Sequence, residues 1–137
     1  MLLLHFFILY TFKKIIIEST IKKDNVGKKL LQQITLQNDK LKKDLGINFR
    51  VYGIANSRQM YLGSEPIDLQ KYDSLLQEKG STANLEELAV HIQSLNLYNS
   101  VFVDNTANEN VAKLYPAFLS HGISIVTCNK IACSSSY

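Results

Sequence analysis

The chain has 137 residues, 46% apolar and 20% charged, with a net charge of +3. That length holds one domain or a piece of one, and the balance is that of a globular chain able to build a core. Its two cysteines, Cys128 and Cys133, have no His or Cys partners at ligand spacing, which excludes a zinc site of about four ligands. So few cysteines fit a reducing cytoplasm, the expected location.

The charge is unevenly spread. Residues 13–50 carry ten Lys/Arg against four Asp/Glu, and residues 51–137 carry five against eight. A basic half can attract an anionic ligand or nucleic acid. Here Lys28, Lys29, Lys40, Lys42 and Lys43 sit where an amphipathic helix faces water, so the excess reads as a solvated helix face. An RNA-binding reading lacks aromatics interleaved with the basic residues.

The first twelve residues are strongly apolar but too short to span a bilayer, which takes about 20. Lys13 and Lys14 follow the run instead of preceding it, and no Ala-x-Ala site comes after, so a buried strand is expected and not a secretory signal. Phe6–Phe12 and Ile15–Ile17 are the two candidates for a first strand. Asn25 can cap a helix in which Val26, Leu30, Ile34, Leu41 and Leu45 recur at helical spacing, with Gly46 as its left-handed stop. Ile47–Ala55 is β-branched and aromatic, a strand. Residues 58–80 are polar and read as an irregular excursion with one helical turn near Leu69–Gln77.

A helix is expected over about Leu85–Leu95, with Leu85, Leu88, Ala89 and Ile92 on one face. Asn84 and Glu87 have capping-box spacing. A strand follows at 99–104, a helix at about 108–120 in which Pro116 must make a kink or mark a tight first turn, and a strand at 123–127 after Gly122. His91 falls within a helix, and His121 near a helix end where a cation suits the dipole. Alternating strands and helices of these lengths predict a Rossmann-like α/β fold: a parallel sheet with right-handed crossovers and helices on both faces. Its first strand is degenerate or replaced.

Three strands end in polar residues: Ala55-Asn56-Ser57-Arg58, Asp104-Asn105-Thr106 and Thr127-Cys128-Asn129-Lys130. Ligands of open α/β sheets bind beyond the carboxyl ends of the strands, so these residues form one candidate edge. The turn before the first helix reads Lys22-Lys23-Asp24-Asn25-Val26-Gly27. Only Gly27, at the third position of a dinucleotide fingerprint, keeps its glycine. The strand ending at Ala55 carries Arg58 where an NAD site has an acid. A planar guanidinium suits a 2′-phosphate, which favours NADP over NAD if a dinucleotide binds; the residue alone reads equally as a solvated loop arginine.

These motifs resemble those of homoserine dehydrogenase. Asn25-Val26-Gly27-Lys28-Lys29-Leu30-Leu31, Gly53 to Arg58, Val103 to Thr106 and Ile125 to Lys130 occur in that family's order and spacing, nearest to the dehydrogenase half of the bifunctional aspartokinase–homoserine dehydrogenases. The long excursion at 58–80 resembles that form too. The resemblance covers residues 25–137 as a partial NAD(P)-binding Rossmann domain and leaves 1–24 as an atypical N-terminal segment. It implies NADP-linked interconversion of L-homoserine and L-aspartate 4-semialdehyde in threonine and methionine biosynthesis, with no nucleic-acid or membrane partner. Val26, Gly27, Ala55, Asn56, Ser57 and Arg58 would bind cofactor at the turn and adenosine end. Asp104, Asn105 and Thr106 would lie near the nicotinamide half, beside Asn129. Lys130, read as a buried ammonium, would be the catalytic group beside cofactor and substrate.

The family has Pro where Cys128 stands and often Lys where Ile131 stands. Its substrate domain, which supplies the homoserine-binding carboxylates, a second lysine and much of the homo-oligomer contact, comes later in the chain. The resemblance therefore implies a cofactor-domain fragment, not active alone. The lost glycines leave open a non-catalytic nucleotide-binding or interaction module that keeps the fold.

Overall fold

The computed structural model of the chain describes residues 12–18, 26–95, 99–130 and 134. The candidate strand residues 6–11, the turn 22–25 with the Asn25 cap, Ile131 and Cys133 lie outside them. β1 is Phe12–Glu18, so the stretch holding Ile15–Ile17 fills the first-strand position. It is followed by α1 (Val26–Leu45), β2 (Asn48–Ala55), β3 (Gln59–Leu62), α2 (Tyr72–Lys79), β4 (Ser81–Thr82) and α3 (Leu85–Ser94). β5 (Ser100–Asp104), α4 (Glu109–Ala112), α5 (Tyr115–Ser120) and β6 (Ser124–Thr127) complete it. The six strands form one sheet in the order β4-β3-β2-β1-β5-β6. β1 pairs parallel with β2 and β5, and β5 parallel with β6. After β2 the chain extends the sheet on one side. It then returns to place β5 on the other side of β1, so the order reverses at β1.

Helices cover both faces. Leu31 and Ile34 of α1 and Leu76 of α2 pack on Val51, Ile54 and Val103. Leu88 and Ile92 of α3, Val111 of α4 and Phe118 of α5 pack on Tyr52 and Phe102 from the other side. Val51 and Ile54 share a face although three residues apart. The β1–β2 register explains it: Ile15 pairs with Val51 but Ile16 with Gly53, so Tyr52 is the extra residue of a bulge that shifts the alternation by one.

The buried stripe of α1 runs through Gly27, Leu31, Ile34 and the half-buried Asn38 and Leu41, whereas Leu45 is exposed. At 1.5 Å per residue a helix of this size is about 30 Å long, against about 26 Å for β2, so its last turn outruns the sheet. All five lysines named above are exposed on it. The helix stops at Gly46, φ 64°, whose amide returns to the Lys42 carbonyl at 3.1 Å. Asn38 pins α1 to the start of β2. Its Oδ1 accepts from the Phe49 amide at 2.8 Å, and its Nδ2 donates to the Phe49 carbonyl at 3.2 Å and to Asn48 Oδ1 at 3.0 Å.

Two expectations are corrected. The excursion after Arg58 is ordered: β3 pairs antiparallel with β2, β4 antiparallel with β3, and α2 spans two turns between them. Met60, Ile67 and Leu76 are its buried anchors. They are spaced too irregularly to register as either period. The helix expected over 108–120 divides into α4 and α5, because Pro116 lacks the amide a continuous helix needs; of the two roles expected of it, it takes the place in a first turn, that of α5. The α3 cap is seen: Asn84 Oδ1 accepts from the Glu86 and Glu87 amides at 2.9 and 3.2 Å. Asn84→Ala is expected to lower stability by about 1 kcal/mol in urea unfolding; no change would show that water replaces the cap.

Candidate functional site

The register lines up the strand ends. Glu18 pairs with Ala55 on one side and with Asp104 on the other, and Asp104 pairs with Thr127. The last residues of β2, β1, β5 and β6 thus form one row across the sheet. The loops that follow leave from a single carboxyl edge, beside the point where strand order reverses. α1 opens on the same edge. From the Asn38 pin back to Val26 is 12 residues of helix, about 18 Å; from Phe49 to Ala55 is about 20 Å of strand. Gly27 in this first turn is buried, and the turn has no acidic residue.

On the β2 side, Asn56 makes the turn into β3. Its Oδ1 accepts from the Arg58 and Gln59 amides, each at 2.8 Å, and its own amide donates to the Gln59 carbonyl at 2.8 Å. Asn56 is consumed locally, while Ser57 and Arg58 are exposed at the tip. The sequence shows this turn as an Asn two residues before the arginine.

On the β5–β6 side the polar endings interlock. Asp104 is fully buried, and its Oδ1 accepts from the Thr106 amide at 2.7 Å. Its Oδ2 accepts from Asn129 Nδ2 at 3.1 Å and from the Tyr115 hydroxyl. Tyr115 Oη also lies 2.8 Å from Thr127 Oγ1. A phenol has one proton, so that proton goes to the carboxylate and the Thr127 hydroxyl donates to Tyr115. Thr127 Oγ1 accepts from the Asn129 amide at 2.9 Å, and Asn129 Nδ2 also donates to the Asn108 carbonyl at 3.0 Å. The Thr106 hydroxyl accepts from the Asn108 amide at 3.2 Å, closing the loop into α4. A buried carboxylate needs such donors in place of water.

The predicted site residues therefore separate into two sets. Asp104 and Asn129 are fully buried, with side chains engaged inside the protein; Thr106 is buried too. Lys130 is exposed, and this corrects the expectation of a buried ammonium. It stands three residues past β6, beyond the end of that strand. Asn105 bridges the sets: its Oδ1 accepts from the Cys128 thiol at 3.5 Å, while its buried Nδ2 has no hydrogen-bond partner among the described residues. Tyr115 and Asn108 were missed by the sequence reading. The available signal was a hydroxyl-bearing aromatic at a Pro-marked helix start, eleven residues after a strand-ending Asp.

Two other features lie elsewhere. An open groove of about 310 Å³ runs between the middle of α1 and Leu69, Gln70 and Tyr72. Burial there pushes the Tyr72 phenol above its ordinary 10, and neighbouring Asp73 adds to the rise. A perturbed group can mark a site, but this phenol has no other titratable partner at the groove. Among the described residues no cluster of three His, Cys, Asp or Glu could hold a metal, and no helix is long and apolar enough to cross a membrane.

The NAD-binding domain family of homoserine dehydrogenase matches residues 25–137. The chain belongs to that family. A bifunctional aspartokinase/homoserine dehydrogenase from Daucus carota is 40% identical over 108 residues, covering 78% of this chain and 12% of that protein. One from Zea mays is 38% identical over the same length and the same shares. The homoserine dehydrogenase of Schizosaccharomyces pombe is 33% identical over 114 residues, 82% of this chain and 30% of that one. The chain thus spans about an eighth of the bifunctional relatives.

Among solved structures, a Candida auris protein of unknown function superposes with a TM-score of 0.70 at 25% identity, covering 90% of this chain and 32% of that one. The Thermoplasma acidophilum homoserine dehydrogenase superposes at 0.65 and 18% identity, covering 92% and 38%, a likeness of fold. In this homoserine dehydrogenase NAD-binding domain β1, β2, β5 and β6 end together on one edge. The matched stretch begins one residue before α1 and contains every loop on that edge except the one after β1.

Proposed function

We propose that this domain holds NADP along the carboxyl edge, for the interconversion of L-homoserine and L-aspartate 4-semialdehyde. The observation that carries the reading is the level row of strand ends, onto which α1 also opens. The donor set fits such a ligand: a buried Asn105 amide with no partner among the described residues, an exposed guanidinium at Arg58 and a first turn of α1 that holds no acidic residue. The first-turn amides of α1 would meet the pyrophosphate, with Gly27 allowing the helix to sit close to the sheet. Arg58 would take the 2′-phosphate through two parallel N–H bonds. Asn105 would offer its amide to an acceptor in the nicotinamide half.

Bound NADP supplies the hydride carrier; the chain's own residues supply position and charge. Lys130 would donate a hydrogen bond to the substrate oxygen, steadying the negative charge that grows on it as the carbonyl is reduced. Asp104 and Asn129 are assigned the support of the two loops, not contact with cofactor.

Arg58→Ala is expected to weaken NADPH binding about tenfold or more in a fluorescence titration and to leave NADH binding within about twofold, because only NADPH carries the phosphate. Equal affinity of both forms for NADPH would remove Arg58 from the site, and absence of NADPH binding by the unaltered chain would sink the cofactor reading. The 137-residue chain is expected to bind without turning homoserine over; steady reduction of NADP by homoserine with the purified chain would overturn that expectation.

A further inference from the structure

The geometry points to Tyr115 as a positioning residue that locks the turn carrying Asn129 and Lys130 to the loop carrying Asn105 and Thr106. This rests on the cofactor reading above, since it gives the two loops their task. Tyr115 belongs to neither loop and to none of the strand-end motifs. It reaches both from α5: its phenol donates to Asp104 Oδ2 and receives the Thr127 hydroxyl, 2.8 Å away.

Those two groups are the ones that organise the loops. The Asp104 carboxylate holds the Thr106 amide, and Thr127 Oγ1 holds the Asn129 amide. The link is therefore a relay from the amide of one loop, through carboxylate, phenol and hydroxyl, to the amide of the other. α5 holds the phenol in place. Phe118 lies one helical turn after Tyr115 and packs on Phe102, and Phe102 lies two residues before Asp104 on β5. The i, i+3 face of the helix thus meets the i, i+2 face of the strand with an apolar contact and a polar one.

Removing the hydroxyl takes one of three donors from the carboxylate and takes this acceptor from Thr127. The direct Asn129–Asp104 and Cys128–Asn105 bonds remain, so the fold persists and the Asn105 amide and Lys130 ammonium are held less tightly to one another. Positioning by fixed donors matters most at the nicotinamide half, where small misplacements are costly. The adenosine end at Arg58 stands on β2 and the β2–β3 turn, on the other side of β1 from β5 and β6.

Tyr115→Phe keeps the ring and removes only the oxygen. In native-state hydrogen exchange of the full chain, the Thr106 and Asn129 amides are expected to exchange about tenfold faster, the equivalent of one lost hydrogen bond, while Ile54 in β2 is unchanged. No change at the first two, or an equal rise at all three, overturns the assignment. In titrations, Tyr115→Phe is expected to weaken NADPH and reduced nicotinamide mononucleotide about tenfold and to leave adenosine 2′,5′-bisphosphate within about twofold; equal weakening of all three overturns it. If the unaltered chain binds none of the ligands yet the exchange pattern holds, the loop lock stands and the cofactor reading falls. Should Tyr115→Phe not fold, Thr127→Val tests the same relay from its other end: acceleration at Thr106 as well as at Asn129 supports it, and acceleration at Asn129 alone, which follows from the direct Thr127 bond, or full protection at both overturns it.

Discussion

Asp104→Ala is expected to cost about 3–5 kcal/mol of folding stability, against a total of about 5–15 for a domain of this kind. The carboxylate is fully buried and satisfies the Thr106 amide, the Tyr115 hydroxyl and Asn129 Nδ2 together. Alanine strands these donors where water does not reach, and each buried unpaired group costs about 1–3 kcal/mol. The sum is less than three full penalties, because Asn129 keeps the Asn108 carbonyl and Tyr115 keeps Thr127.

Asp104→Asn preserves the shape but replaces one acceptor oxygen with a donor that faces other donors. It is expected to lie between the native chain and the alanine variant. Urea unfolding followed by far-ultraviolet circular dichroism measures both. A loss below about 1 kcal/mol for Asp104→Ala would mean that water enters and replaces the carboxylate, and the buried network would lose its role.

Phe102→Ala is expected to cost a similar amount, about 3–5 kcal/mol, by a different mechanism. Phe102 has no exposed surface, and its ring centroid lies 4.8 Å from that of Phe118 at 47°. Truncation removes the buried ring, leaves a cavity between β5 and α5, and forfeits a tilted ring pair worth about 0.5–1.5 kcal/mol beyond its area. Phe102→Leu refills much of that volume and is expected to cost less than half as much. Equal losses for the two variants would show that ring shape, not the void, dominates. Phe102 lies two residues before the end of β5, in the core and not on the carboxyl edge, so cofactor affinity of the folded Phe102→Leu chain is expected to stay within about twofold.

The sequence by itself determined the local matters. Helical spacing from Val26 to Leu41, the Gly46 stop, the Asn84 cap and the polar strand endings are written within a few residues of where they act. The four motifs also carried the family, because residue identities at fixed spacing need no coordinates. Tertiary structure alone decided that Ile15–Ile17 lies in the central strand, that Gln59–Leu62 and Ser81–Thr82 extend the sheet, and that the ends of four strands fall in one row. It also decided that Asp104 and Asn129 turn inward while Lys130 faces solvent, and that Tyr115, eleven residues from Asp104, donates its hydroxyl to that carboxylate beside the Asn129 amide. Strand register and burial are set by hydrogen-bond ladders and packing between segments far apart in the chain. No periodicity or cap, which reports only on near neighbours, can encode which of two polar residues at a strand end the closing helix will cover.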